Sequence, residues 1–428
     1  MKSRQYAVNL VLAAALAMVG GCDKGGAGFT GRLSPNFGNP GGGGGGLFTE
    51  PVLAYQPAAG TALFGQRLSG TGQMIVFVSN EDPFGTNPAL DEQIFSYNIG
   101  TGGLVQLTQE PASAAVAFQH FDITDTGGAV VFVSTDDITG ANPTNSSNIF
   151  MATTDGATVS QVTANTLGFL AEPQISGNGA FIVFYAESDL VGANPNNLRQ
   201  IFLINSDGTN LAQVTTGDPF PEALTLADAG TRIAYHSTKD PFGSNADGSR
   251  EIFVINIDGN GHAQLTMSAA DSVDPDISDD GSKVAFASRG DLVTGGNADG
   301  SSEVFVANGD GTGTVQITTS AVDSGVFTSG ATGALEIAGF GNYVVFGSTA
   351  DLTGDNSGNT HTIFWASTDG VMTGQPLRAG FVPPDVLARD ADNPHINNDG
   401  SEIMFDSAVN YSFDSTGTDG KIFTTARN

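Results

Sequence analysis

The stretch "DPDISDDGSKVAFAS" occupies Asp274–Ser288, and "EVFVANGDGTGTVQIT" follows at Glu303–Thr318. Apolar and polar residues alternate within each short run, the period of a half-buried strand. Asp-Gly and Asn-Gly steps punctuate the runs and supply tight turns. Four short strands therefore fill this one segment: an inner "DPDIS", a second "KVAFAS", a third "EVFVA" and an outer "VQIT".

The same phrase returns along the chain. A turn glycine stands before an apolar strand at Gly72, Gly127, Gly179, Gly230, Gly281, Gly341 and Gly400, at spacings of 55, 52, 51, 51, 60 and 59 residues. The strands read MIVFVS, AVVFVS, FIVFYA, RIAYHS, KVAFAS, YVVFGS and EIMFDS. An Ile-Phe or Val-Phe pair follows 22 or 23 residues after each glycine, from Ile94-Phe95 to Ile422-Phe423. A "QLT"-like strand comes next in five copies, degrades to Leu377-Arg378 in the sixth and is missing after the seventh. Seven four-stranded units of about 50 residues predict a β-propeller, because each unit can bury its two apolar faces only against its neighbours. The seventh unit lacks an outer strand, whereas the apolar stretch Leu47–Tyr55 precedes the first inner strand. The expectation is an all-β, seven-bladed β-propeller of antiparallel blades, closed by an N-terminal strand that completes the last blade. An open solenoid or two separate domains would leave that strand without this partner.

The units "PDISDDGSKVAFAS", "EVFVANGDG" and "VQIT" resemble the repeat of TolB-type propellers, a repeat shared with tricorn-like and prolyl-oligopeptidase-type proteases. The resemblance covers the chain from near Gln66 to its end. It implies the propeller fold and, for the TolB type, partner binding in the bacterial envelope. The extra N-terminal α/β domain of TolB has no counterpart, so that protein's specific partners do not carry over. Neither a G-x-S-x-G motif nor a following hydrolase domain is present, so the likeness to peptidases is confined to their non-catalytic propeller.

Ahead of the repeat, Lys2 and Arg4 precede an apolar run, Ala7–Val19, too short to span a bilayer comfortably. It ends at Val19-Gly20-Gly21-Cys22, which resembles a bacterial lipoprotein signal. That likeness implies residues 1–21 as a signal peptide and lipidation of Cys22, the sole cysteine of the chain. With no second cysteine an intramolecular disulfide is excluded. More than one acyl chain gives stable anchoring where one would be marginal. Residues 22–46 end in six glycines and read as a flexible tether with a reach of about 25–30 Å. The folded body, 47–428, follows. The expected location is the bacterial cell envelope, attached to a membrane through the lipid anchor alone.

Charged residues make up only 14% of the 428, yet the net charge is −30. Such a field repels nucleic acid, which is excluded as a partner, and attracts cations and basic partners. Three sets of polar residues are candidates for function. First, an Asp stands in the loop between second and third strands of six units: Asp82, Asp137, Asp189, Asp240, Asp291 and Asp351. A Gly and an Asn follow each. Repetition in every blade favours turn chemistry, with Ca²⁺ binding as the alternative; the pattern of an EF-hand is not matched. Second, Arg67, Asp122, Gln174, Thr225, Asp276, Glu336 and His395 precede the recurrent Ile or Leu of the inner strands and are expected to ring the central channel. Third, of five histidines, His120 and His395 lie at inner strands, His236 within a second strand, and His262 in a glycine turn where exposure is expected.

No complete catalytic constellation emerges, and a non-enzymatic binding or scaffolding module for an envelope protein or glycan is the expected function. A monomer is expected. One alternative is a metal-assisted polysaccharide lyase or hydrolase using His120, His395 and two channel carboxylates. Another is a Ca²⁺-stabilised structural lipoprotein. Specificity is expected in the connections entering the inner strands, which vary most in length, as at Thr319–Ala334 and Ala379–Asn393.

Overall fold

The computed structural model describes residues 52–58, 61, 63–109, 120–165, 168–324, 335–354, 361–371, 373–374, 391–407 and 421–426. All belong to one compact unit, Gly46–Asn428. The proposed signal, Cys22 and the tether lie outside the described residues.

Strands pair antiparallel into seven four-stranded sheets. Blade one comprises Leu63–Leu68, Met74–Ser79, Gln93–Asn98 and Gly103–Gln106. Blade five, the quoted segment, comprises Ser272–Ile277, Lys283–Ser288, Glu303–Asn308 and Val315–Gln316. Blades two, three, four and six repeat this order of inner, second, third and outer strand. In blade seven the inner, second and third strands are Ala391–Ile396, Glu402–Ser407 and Lys421–Ala426. Its outer strand is Val52–Tyr55, with Val52 opposite Thr424 and Leu53 opposite Phe423. The expected closure by the N-terminal stretch is therefore present. Tyr55 carries the closure into blade one: its ring lies 4.8 Å from Phe77 and 5.2 Å from Tyr97, and its hydroxyl donates to the Glu81 carboxylate.

The Phe of each second strand sits directly opposite the Phe of the third, as in Phe77–Phe95, Phe286–Phe305 and Phe405–Phe423, with rings 5.6–5.9 Å apart. Blade four substitutes Tyr235, 5.4 Å from Phe253. These side chains and their Ile and Val neighbours are fully buried. They form seven apolar clusters, one between each pair of successive blades, the last joining Met404 and Ile422 of blade seven to Leu68, Ile75 and Phe77 of blade one. Each buried Phe contributes about 1.5–3 kcal/mol, and no blade has a second apolar surface other than its neighbour's.

The recurrent threonine of the outer strand has a specific duty. Thr108, Thr163, Thr215, Thr266 and Thr318 each accept the backbone N–H that begins the Ile-Phe or Val-Phe pair, at 2.9–3.0 Å. The preceding glutamine returns its amide to the threonine carbonyl, as in Gln213 Nε2 to Thr215 O at 2.7 Å. This ties down the end of an outer strand only two residues long, such as Ala212–Gln213. The turn glycines answer to the neighbouring blade as well as to φ. A Cβ on Gly127 (φ 70°) would lie 2.6 Å from the Cβ of Met74, the first residue of the previous blade's second strand.

Antiparallel order places the one-to-two and three-to-four turns on one side of the ring, hereafter the turn side. The two-to-three loops and the connections between blades lie on the other, the loop side.

Candidate functional site at the central channel

All seven expected channel residues occupy one register position. Arg67, Asp122, Gln174, Thr225, Asp276, Glu336 and His395 each pair with the third residue of the second strand: Val76, Val131, Val183, Ala234, Ala285, Val345 and Met404. Several reach to the next blade. Asp122 accepts the N–H of Ile175 at 2.8 Å, and Asp276 accepts the N–H of Ile337 at 2.7 Å and the Thr225 hydroxyl at 3.1 Å. Glu336 accepts the N–H of Ile396 at 3.3 Å and bonds His395 Nδ1. The Arg67 guanidinium lies over the Phe121 ring. Loss of solvent raises the Asp122 carboxyl to about 6, against the relief of its backbone donor and Arg67. Loss of solvent, then repulsion from Glu336, raises Asp276 to about 7. These carboxylates clamp blade to blade.

At the turn side the next residues form a second ring. Backbone hydrogen bonds of 2.8–3.0 Å run from Thr71 N to Asp125 O, Asp125 N to Gly177 O, Gly177 N to Asp228 O and Ala229 N to Asp279 O. They continue from Asp279 N to Gly339 O, Phe340 N to Asn398 O and Asn398 N to Gly70 O, closing the circle. The side chains of Asp125, Asp228 and Asp279 converge here, with one oxygen from each lying within 4.8 Å of the others. Asn398 Nδ2 donates to Asp125 at 3.1 Å. Glycines leave room for these acids: a Cβ on Gly177 would overlap the Asp125 carboxylate, and one on Gly339 would overlap that of Asp279. Burial pushes Asp228 up to about 10, with the hydrogen bond to Asp125 and the charges of Asp125, Asp279 and Asp122 adding to it. Burial and the Asp125 charge raise Asp279 to about 6. Burial and the neighbouring carboxylates thus favour the protonated form of Asp228. An all-oxygen triad of this spacing could hold a hard divalent cation such as Ca²⁺ in place of that proton.

The sequence reading did not single out this triad. Its signal lies in comparing the seven turns at one position: Gly70, Asp125, Gly177, Asp228, Asp279, Gly339 and Asn398. Among the described residues it is the one group of three or more His, Cys, Asp or Glu side chains placed to share a metal ion. His120 and His395 belong to no such group. His395 is buried, with Nε2 lacking a partner.

The loop aspartates are taken up differently. Asp82, Asp137, Asp189 and Asp240 each accept the backbone N–H of the asparagine five residues on, at 2.6–3.0 Å. Asp291 accepts three N–H groups, from Gly295, Gly296 and Asn297. The asparagines are buried, and their amides donate to loop carbonyls, as from Asn87 to Glu81 O and Asp91 O. Asp351 heads a sixth loop whose residues 355–360 lie outside the described set.

At the loop side, blades three to five build a polar cluster that the sequence did not reveal. Their inner strands, like those of blades one and seven, carry a bulge held by a left-handed residue: Gly65, Glu172, Ala223, Asp274 and Asn393. Glu172 accepts the N–H of Leu224 at 3.0 Å, and His236 Nδ1 accepts the N–H of Asp274 at 3.1 Å, both across blades. Glu222 faces His236 Nε2 at 3.5 Å and Arg250 at 2.9 Å; these partners hold its carboxyl down at about 2 against partial burial. Burial raises Glu172 and Asp274. His262, expected to be exposed, is instead packed. Its Nε2 bonds the Tyr235 hydroxyl at 2.6 Å and its ring meets Phe242 edge-on at 4.8 Å. Of the two long entry connections, residues 325–334 and 375–390 lie outside the described set.

No protein-family model matches the chain, and no curated protein matches it. Solved structures resemble it in fold. An oligogalacturonate lyase in complex with manganese aligns over 89% of this chain and 97% of its own, at 12% identity and a TM-score of 0.55. A putative TolB from Agrobacterium tumefaciens aligns over 59% of this chain and 79% of its own, at 17% identity and a TM-score of 0.41. TolB from Acinetobacter baumannii aligns over 58% and 52%, at 16% identity and 0.39. At these identities the likeness to the lyase is one of fold: a propeller aligned over nearly the full length of both chains.

Proposed function

We propose that this chain is a non-enzymatic binding or scaffolding module of the bacterial envelope, lipidated at Cys22 and presenting the loop side of its propeller to a partner. The observation that carries this reading is the use made of the channel's polar groups. Asp122, Asp276 and Glu336 are engaged by backbone N–H groups of the next blade, and a closed backbone ring draws the turn side together. The loop side, by contrast, differs from blade to blade, and binding residues are concentrated on loops held by a rigid scaffold.

A photo-crosslinker at Met267 or Phe169 on the loop side, compared with Val371 on the turn side, tests this in intact cells. Adducts confined to the loop side support the reading, and adducts from neither side reject it. Replacing Cys22 by Ser should release the protein from the membrane fraction; retention there would reject the anchor. A second reading, a cation that stabilises the propeller, draws on the Asp125–Asp228–Asp279 triad and predicts a melting midpoint lowered by EDTA.

A further inference from the structure

We infer that the loop side over blades three to five is a docking surface for an extended, basic polypeptide segment that also carries apolar side chains. This rests on the binding-module reading above and narrows its partner class. Six large apolar side chains stand exposed there: Phe169, Val191, Phe242, Met267, Val293 and Val322. Met267 is 71% exposed, Phe169 47% and Phe242 46%. The other exposed large apolar side chains among the described residues are scattered: Phe340 and Val371 in the turns of blade six, Val52 at the start of the closing strand and Leu90 in the blade-one loop.

Part of the surface is preorganised. Phe169 leans on Tyr185 with ring centroids 6.2 Å apart. The Arg199 guanidinium is sandwiched between Tyr185 at 4.7 Å and Phe220 at 4.3 Å, and Lys239 lies over Phe220 from the other blade. A surface already held in place loses little freedom when it is covered. Met267, in the connection from blade four to blade five, adds an adaptable, polarisable side chain to the same side.

Charge selects the occupant. The four described cations in the loops of this side are all neutralised: Arg199 by Glu187 at 2.7 Å, Lys239 by Asp218 at 2.8 Å, Arg250 by Glu222 and Asp271, and Arg289 by Asp323 at 2.8 Å. Asp189, Asp240, Asp247, Asp291 and Asp299, in the two-to-three loops of blades three to five, form no ion pair with a lysine or arginine among the described residues. Within a chain of net charge −30, this surface repels phosphates, uronates and anionic lipid and draws in lysine and arginine. A polyamine would satisfy the charge but leave Phe169 and Met267 uncovered. A polypeptide alternating basic and apolar residues satisfies both.

The test uses the full chain carrying Cys22→Ser, so that no lipid enters the assay, and fluorescent twelve-residue peptides followed by anisotropy. A Lys-Leu-Lys-Ser repeat should bind at least tenfold tighter than a Lys-Ser repeat, and a Glu-Leu-Glu-Ser repeat should not bind. Met267→Ser and Phe169→Ser should each weaken binding at least fivefold, whereas Val371→Ser on the turn side should not change it. Raising the salt from 50 to 300 mM should weaken binding. Equal binding of the Lys-Ser repeat, indifference to both loop-side substitutions, or binding of the acidic repeat would each overturn the proposal. Loop-side crosslinks in cells, together with failure of the basic apolar peptide, would reject this partner class and leave the binding-module reading standing. Absence of crosslinks from either side would reject that reading itself.

Discussion

Replacing Asp228 by Asn should make the protein more stable at neutral pH. Asp228 is mostly enclosed by the turn-side ring, and its carboxyl is raised to about 10 from 3.8. In the unfolded chain it ionises near pH 4; in the folded chain it stays protonated at pH 7. A raised acid contributes least to stability at high pH: the folded state loses ground steadily from about pH 4 up to about pH 10. At pH 7 the deficit spans about three pH units, or about 4 kcal/mol at 1.36 kcal/mol per unit. Coupling to the neighbouring carboxyls and partial solvent access reduce this to about 2 kcal/mol. Asparagine keeps a donor toward Asp125 and removes the ionisation. The Asp228→Asn protein should therefore melt about 2–3 °C higher than the parent at pH 7, with the gap vanishing at pH 4. Scanning calorimetry at pH 4, 6 and 8 in EDTA measures this directly. A gap that persists at pH 4, or a variant less stable at every pH, would refute the assignment of a proton to this cluster. Repeating the scan in Ca²⁺ separates the two occupants: if the triad holds the ion, the parent gains and the variant does not.

Gly177→Ala should cost on the order of 2–3 kcal/mol, because its Cβ would overlap the Asp125 carboxylate at a backbone ring position. Gly85→Ala, in a loop with open space but φ 70°, should cost about 1 kcal/mol, and urea midpoints of the two rank them. Thr215→Val removes the acceptor of the Ile201 N–H and the donor to Gln200 Oε1, and should cost about 2 kcal/mol by the same measurement. Tyr55→Ala removes the contact between the closing strand and blade one. It should cost about 3 kcal/mol, read as a lowered melting midpoint and earlier proteolysis near residue 55.

The blades could be read from the sequence because a strand's period of two and a turn glycine are local signals, repeated seven times. The shared register of the inner-strand polar residues could be read for the same reason: alternation alone places Asp122 and Asp276 on equivalent strand positions. The turn-side triad was not read, because Asp125, Asp228 and Asp279 meet only when the circle closes, and each one alone is an ordinary turn residue. The bulges at Glu172 and Asp274 carry no glycine to announce a positive φ. His262 was misplaced because a glycine turn implies exposure. The cause of its burial sits elsewhere, in the Tyr235 that replaces a phenylalanine and brings a hydroxyl in need of a partner.

The pairing of Val52 with Thr424 puts the first and last described strands of the circle side by side. A wheel joined in this way has no intrinsic beginning. A short linker from Ala426 back to Val52, with new termini opened at an exposed three-to-four turn such as that around Asp310, should yield a permuted chain with the same seven cores. The order in which the genetic message lists the sheets is then incidental, and where the chain opens decides only which rim position is left for attachment.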